Sequence, residues 1–185
     1  MAEELWRTDL EPTVAGILTG NEPLTFAAHA AVYSKIFNYV AEGKAKGSSE
    51  ESQAQIYTQV QTFLDEHTKR IASAAPTSDD GELATYYDTE WDRFSSGAAV
   101  LHRLLNYLNR HYVFRKRAEG HLNIVTIRNL ALGSWRENVF EPLSPRLEKA
   151  SPNQEQVESI RNRLNSEELL DDKFKEMRIT SPQPA

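Results

Sequence analysis

Histidines and carboxylates are the side chains of this 185-residue chain from which a reactive site could be built, since it contains no cysteine. The absence of cysteine excludes disulfides, thiolate zinc sites, iron–sulfur clusters and thiol nucleophiles. The five histidines show neither His-x3-His spacing nor the glutamate-containing pattern of a zinc-binding helix; they are His29, His67, His102, His111 and His121. The sequence therefore predicts neither a metal site nor a cofactor.

Catalytic motifs are also missing from the sequence. There is no glycine-rich phosphate-binding loop and no Gly-x-Ser-x-Gly turn that would expose a nucleophilic serine. The serines of Ser95-Ser96-Gly97 are interpreted as a helix break. Carboxylates such as Glu90 and Glu137 stand close to arginines and are expected to form solvated ion pairs. We expect a protein that is not an enzyme.

Charge and hydropathy narrow the class of partner. The net charge is −6 with 26% charged residues, whereas a nucleic-acid-binding protein usually shows a basic excess. The basic cluster around Arg115-Lys116-Arg117 suits the carboxyl end of a helix. No apolar run reaches the roughly 18–20 residues of a membrane span, and the acidic amino terminus has no signal-like stretch. These features predict a soluble protein of the cytoplasm and/or nucleus without nucleic-acid or membrane partners.

Hydrophobic residues recur at three- and four-residue spacing along most of the chain, which is typical of helices. The pattern predicts an all-α fold with helices at 5–18, 24–42, 52–74, 82–94, 98–119 and 123–140. A break is expected at 95–97, and Gly120 is placed to end the fifth helix. Pro142 and Pro145 are expected to end the sixth, and residues 146–185 to form a polar, partly disordered tail.

Two of these helices carry more apolar surface than a single core-facing stripe requires. The stripes of the second helix are Phe26, Ala30, Tyr33, Phe37 and Val40, then Val32, Ile36 and Tyr39. Those of the fifth are Leu101, Leu105, Leu108 and Tyr112, then Val100, Leu104 and Tyr107. Either each helix is packed on both sides, or one stripe faces the core and the other a partner. Periodicity alone leaves both interpretations open.

Four segments carry a family resemblance. They read VYSKIFNY at 32–39, YDTEWDRF at 87–94, YLNRHYV at 107–113 and LALGSWRENVFEPL at 130–143. Together they resemble the amino-terminal region of a cullin, and the tetrapeptide Leu-Asn-Arg-His at 108–111 resembles the cullin-1 type. The resemblance implies a five-helix cullin repeat over residues 5–120, with 121–145 as the first helix of an incomplete second repeat.

The same resemblance implies a non-catalytic scaffold of an SCF-type ubiquitin ligase. Its second and fifth helices would bind a Skp-type adaptor carrying an F-box protein. The partner-binding residues so implied, with neighbours on the same stripes, are His29, Tyr33, Phe37, Leu105, Leu108, Tyr112 and Lys116. His29 and Ala30 depart from the larger apolar or aromatic residues usual at their positions.

The resemblance does not extend to the cullin region that holds the RING protein and carries the lysine modified by a ubiquitin-like protein. A RING protein is therefore not expected to bind this chain. Two alternatives to a ligase scaffold remain open. One is a self-associating helical structural protein whose double stripes close an oligomer, and the other is a fragment that sequesters adaptors.

Overall fold

A computed structural model describes residues 2–20 and 25–150 together with Asn162, and the described part of the chain contains helices and no strand. This confirms the all-α prediction. Within residues 2–150, as far as the structure describes them, six helices follow one another: α1 (2–19), α2 (Phe26–Ala45), α3 (Ser49–Ser73), α4 (Asp80–Leu104), α5 (106–118) and α6 (127–150). Helices α1, α5 and α6 each contain one π-helical turn, at Trp6–Leu10, Asn109–Val113 and Arg136–Phe140 respectively.

Side-chain caps begin several of these helices. Thr25 accepts a hydrogen bond from the Ala28 amide at the start of α2, and Thr126 accepts one from the Asn129 amide at the start of α6. Glycines with positive φ follow α1 and α5, at Gly20 and Gly120, where a left-handed residue favours glycine. The predicted turn at 21–23 and the predicted helix start at residue 24 lie outside the described residues.

The predicted break at residues 95–97 is wrong, because α4 runs through them without interruption. Gly97 serves close packing instead. A Cβ added there would lie 3.0 Å from the Ile17 carbonyl oxygen and 3.1 Å from the Leu18 Cα. Helices α1 and α4 therefore approach each other so closely that glycine is favoured at this position. The chain bends later, at Leu105 between α4 and α5.

The predicted limits of α6 are also corrected. The helix begins at Ile127 rather than residue 123 and continues through Pro142 and Pro145 to Ala150. Pro145 has no N–H for the carbonyl oxygen of Glu141, but the Ser144 hydroxyl donates to that oxygen at 3.1 Å. Buried Leu147 holds the last turns on the core, so residues 146–150 are helical rather than part of a tail. Residues 151–185 lie outside the described residues, apart from Asn162.

Trp135 of α6 joins the last helix to the rest of the core. Its side chain is fully buried, and its ring lies 4.9–5.5 Å, centroid to centroid, from the rings of Tyr87, Trp91 and Phe94 on α4. The indole Nε1 donates a 2.9 Å hydrogen bond to the Tyr87 hydroxyl oxygen. Burial raises the pKa of Tyr87, so the hydroxyl stays protonated. Helix α6 thus belongs to the same hydrophobic core as the helices before it.

Asn109 connects α5 to the start of α6 and to the end of α4. It is 1% exposed, its Oδ1 accepts a 3.0 Å hydrogen bond from the Ile127 amide, and its Nδ2 donates to the His102 carbonyl oxygen at 3.3 Å. Nearby, the Tyr57 hydroxyl donates to the Val125 carbonyl oxygen at 2.9 Å. These bonds place the α5–α6 connection on the core.

Asn109→Leu is expected to destabilise the protein by about 1–3 kcal/mol, because it leaves the buried Ile127 amide without an acceptor. Urea denaturation followed by circular dichroism measures the change. Asn106→Leu, at an exposed position of the same helix, serves as the control and should change stability by less than about 0.5 kcal/mol. Equal stabilities of the two variants would contradict the proposed role of Asn109.

His67 gives the fold a specific sensitivity to acid. Its ring stacks between Phe63 and Phe94, at 5.9 and 6.2 Å between centroids. Burial, and then the charge of Arg70, lowers the pKa of His67 from 6.5 to about 4. Between these two values the unfolded chain binds a proton that the folded chain does not. The contribution of neutral His67 to the free energy of unfolding is therefore fully present above pH 6.5, and it is lost as the pH decreases towards 4.

We expect wild-type protein to lose about 1 kcal/mol more than His67→Gln between pH 7 and pH 4.5, after allowing for partial exposure of the ring. Urea midpoints at the two pH values measure this difference. His121→Gln, at an exposed histidine, should keep the wild-type dependence. A wild-type slope in His67→Gln would show that other groups cause the acid sensitivity.

Candidate partner-binding site

Four aromatic side chains meet on the surface where α2 lies beside α5. Tyr33 and Phe37 of α2 stack with ring centroids 6.5 Å apart, and both meet Tyr107 of α5 edge to face, at 5.9 and 6.1 Å. The His111 ring lies 4.6 Å from that of Tyr107. Tyr33 and Phe37 are 44% and 47% exposed. We call these four residues the aromatic cluster; it is an apolar surface with polar hydroxyl and imidazole groups, as partner-binding surfaces often are.

Helix α2 presents one stripe to the core and another to solvent. Val32, Ile36 and Val40 are at most 3% exposed, whereas Tyr33 and Phe37 lie outside the core. Of the two interpretations that periodicity left open, the burial in α2 matches the one with a core-facing and a surface stripe. Val40, predicted on the aromatic stripe, is buried instead. Tyr39, predicted on the other, is half-buried, and its hydroxyl donates to Gln55 Oε1 at 2.6 Å.

In α5 the predicted surface stripe is the buried one. Leu105 and Leu108 are 0% exposed and Tyr112 is 6% exposed, with the Tyr112 ring 5.4 Å from that of Tyr57. Burial raises the pKa of Tyr112. The prediction that these three side chains line a partner surface is therefore corrected, because all three already belong to the core. The bend at Leu105 and the π-helical turn at Asn109–Val113 change the direction of the side chains along the helix.

Tyr107 is one of two site residues that the sequence reasoning did not select, the other being His111. Tyr107 stood on the second stripe of the fifth helix, and its aromatic type was the signal that could have found it. Because it contacts both exposed rings of α2, it joins the two helices into one surface. His111, four residues further, extends that surface.

Lys116 is engaged within the chain rather than presented to a partner. Its Nζ forms ion pairs with Glu50 and, at 2.9 Å, with Glu119. Arg115 approaches the same Glu50 at 3.5 Å. Hydrogen bonds to the two carboxylates raise the pKa of Lys116. This ion-pair network links α5 to the start of α3, and its cations already have acidic partners.

His29 lies in the first turn of α2, where it is half-buried. Its backbone amide donates to the Thr25 carbonyl oxygen at 2.9 Å as part of that turn. The ring contacts of the described residues do not connect His29 to the aromatic cluster. It lies four residues before Tyr33, on the preceding turn of α2.

The described residues were searched for groups of side chains that could bind a metal and for helices that could cross a membrane. They contain no group of three or more His, Asp or Glu side chains that could hold a metal ion. None of their helices is both long and apolar enough to cross a bilayer. A cavity of about 630 Å³ lies between α2 and α3, lined by residues that include Glu42, Lys46 and Glu51, and none of the aromatic cluster lines it. The exposed cluster is the feature suited to recognition.

A family comparison covers nearly the whole chain. The family model of the cullin alpha solenoid domain matches residues 7–178. The chain belongs to the cullin family. An all-α fold of consecutive packed helices agrees with that membership.

Individual relatives agree with the family assignment. The chain is 28% identical over 158 residues to cullin-1 of Dictyostelium discoideum, an alignment covering 78% of this chain and 20% of that protein. It is 30% identical over 93 residues to cullin-1 of Caenorhabditis elegans, covering 50% of this chain and 12% of that protein. It is also 27% identical over 169 residues to cell division control protein 53 of Saccharomyces cerevisiae, covering 77% and 21%. The matched region thus spans about a fifth or less of the length of these cullin relatives.

Proposed function

We propose that this cullin chain is a non-catalytic scaffold module of an SCF-type ubiquitin ligase. It binds a Skp-type adaptor carrying an F-box protein through the exposed faces of α2 and α5. The observation that carries the proposal is the aromatic cluster of Tyr33, Phe37, Tyr107 and His111, which lies on the two helices that the cullin resemblance assigns to adaptor binding.

The exposed apolar residues support this location. Among the described residues, the large hydrophobic side chains that remain exposed are Phe26, Tyr33, Phe37, Phe114 and Leu122. Three of them lie on α2 and one on α5. Aromatic residues exposed next to one another are typical binding hot spots, because they bury a large area with little loss of rotamer entropy. An interface of standard size buries about 800 Å² on each partner.

The burial of individual side chains refines the set of contact residues. Tyr33 and Phe37 remain proposed contacts, and Tyr107 and His111 join them. Leu105, Leu108 and Tyr112 act indirectly, since their side chains are buried in the core and hold α5 in place. His29 and Lys116 lie outside the aromatic cluster, so any contribution from them is secondary.

Isothermal titration of the full chain into a purified Skp-type adaptor–F-box complex tests the proposal. We expect sub-micromolar binding with one chain per complex. Size-exclusion chromatography with light scattering on the free chain tests the alternative of self-association. A monomer that binds the adaptor complex supports the proposal. A stable dimer that does not bind it would favour the structural alternative.

A further inference from the structure

The acidic residues of this chain are absent from the two stretches that form the proposed docking face. The chain has 27 Asp and Glu residues in total, yet residues 23–41 contain one lysine and no acidic residue, and residues 93–118 contain six Lys or Arg and no acidic residue. These stretches include most of α2, the end of α4 and all of α5. We call these two cationic stretches the positive pole of the chain, whose net charge is −6.

Most cations of this pole are already paired within the chain. Lys35 pairs with Asp9, and Arg93 pairs with Glu90 at 2.6 Å. Arg115 and Lys116 share the carboxylates of Glu50 and Glu119. The Arg117 guanidinium donates to the Ile124 carbonyl oxygen at 3.4 Å. These cations already have partners within the chain.

Arg103 and Arg110 are the remaining two cations of these stretches. Both are exposed, and neither forms an ion pair with any residue that the structure describes. Arg110 follows Tyr107 by three residues, which places it on the neighbouring turn of α5, and it directly precedes His111. Arg103 lies in the last turn of α4, immediately before the bend that leads to Tyr107. Two available guanidinium groups thus lie four residues before and three residues after Tyr107 along the chain, and we call them the arginine border of the aromatic cluster.

We infer that the aromatic cluster and its arginine border dock a protein surface whose apolar centre is edged by aspartates and glutamates, and this inference rests on the proposed function. The apolar centre covers Tyr33, Phe37 and Tyr107, while carboxylates at the edge pair with Arg110 and Arg103. Arginine binds carboxylates in a bidentate geometry. Charges at the edge of an interface mainly accelerate association, because they steer the partner before contact.

A protein partner fits this face better than a nucleic acid does. Half of the face is α2, whose exposed positions include the small and uncharged Ala27, Ala30, Ser34 and Ala41. A nucleic acid needs a series of cations that follows its phosphates. Here two available arginines stand beside residues 26–41 of α2, whose single charged side chain, Lys35, is already paired with Asp9. The rest of the chain holds all 27 acidic residues, which would repel an extended polyanion.

Stopped-flow association of the full chain with the adaptor–F-box complex, at low and at physiological salt, tests the inference. Arg110→Glu is expected to lower the association rate constant at least about tenfold at low salt. We expect it to flatten the salt dependence and to leave the dissociation rate constant within about twofold. Arg103→Glu should act in the same direction, and the double variant should have the larger effect.

Lys149→Glu is the matched control, because it makes the same change of charge at an exposed position of α6. Arg146 of that helix donates to the Pro76 carbonyl oxygen, just before α4 begins. Arg103 lies at the other end of α4, whose 25 residues extend about 37 Å. The control should keep the wild-type association rate to within about twofold.

The outcomes separate the inference from the proposed function. If Arg110→Glu and Arg103→Glu associate at the wild-type rate while Tyr33→Ala abolishes binding, the inference is wrong and the proposed function stands. If wild-type protein does not bind the complex, both are wrong. If wild-type protein binds labelled single-stranded RNA at about 150 mM salt and Arg110→Glu abolishes that binding, the arginines serve a nucleic acid and the inference is overturned.

Discussion

Tyr33→Ala is expected to weaken binding of the adaptor–F-box complex by about thirtyfold or more, on the order of 2 kcal/mol. The tyrosine ring contacts those of Phe37 and Tyr107, at centroid distances of 6.5 and 5.9 Å. Its loss removes contact area from the aromatic cluster and frees its neighbours to move. Because the side chain is 44% exposed and outside the core, the free energy of unfolding should change by less than about 1 kcal/mol.

Isothermal titration measures the affinity, and thermal unfolding followed by circular dichroism verifies the fold. Phe37→Ala and Tyr107→Ala should weaken binding in the same way. Leu122→Ala is the control, since this leucine is 59% exposed and follows α5 outside the aromatic cluster; it should bind like the wild type. If all three aromatic variants also bind like the wild type, the interface lies elsewhere.

Tyr112→Ala separates a surface role from a core role. The tyrosine is 6% exposed and packs against Tyr57. Its truncation should therefore lower stability by about 3 kcal/mol or more, and binding should decline only as folded protein is lost. A Tyr112→Ala variant with wild-type stability and strongly reduced affinity would return this residue to the interface and contradict the burial seen in the structure.

Trp135→Ala is expected to cost about 3–5 kcal/mol of stability, the largest effect of any single change considered for the fold. The indole is fully buried among Tyr87, Trp91 and Phe94. Its removal would leave a cavity and eliminate these ring contacts. A domain of this size is stable by only about 5–15 kcal/mol. The variant should therefore populate unfolded protein at modest urea concentrations.

Urea denaturation followed by tryptophan fluorescence and by circular dichroism measures this loss. Trp135→Phe keeps a ring in the core but removes the Nε1 donor to the Tyr87 hydroxyl, so we expect a smaller loss than with alanine. Superimposable transitions of the two signals in the wild type would indicate that α6 unfolds together with α1–α5. A Trp135→Ala variant of wild-type stability would mean that α6 does not support the core.

The role of Trp135 bears on how the chain divides. The predicted boundary between a first repeat at 5–120 and a second beginning at 121 rests on the cullin resemblance. In the structure α6 packs on α3 and α4, and Asn109 binds the Ile127 amide. We therefore expect that removing residues from 121 onward would expose core side chains of α4 and destabilise the remaining helices.

The helical class followed from the sequence because helix periodicity is a local property. Residues three and four apart share a helix face whatever surrounds them, so α2 was recognisable with both of its stripes. The segments around Trp91, Tyr107 and Trp135 also indicated the cullin family, since each carries its resemblance in consecutive residues. Tyr33 and Phe37 could be named from the sequence for the same reasons.

What the sequence could not decide was the direction of α5 relative to the core. Periodicity gives the angle between side chains on one regular helix, but it does not say which side is covered. The bend at Leu105 and the π-helical turn at Asn109–Val113 interrupt the regular count. Only the packing of α5 on its neighbours placed Leu108 and Tyr112 inside and left Tyr107 beside Tyr33. Contacts between residues far apart in the chain settled that choice, and single-helix patterns do not contain them.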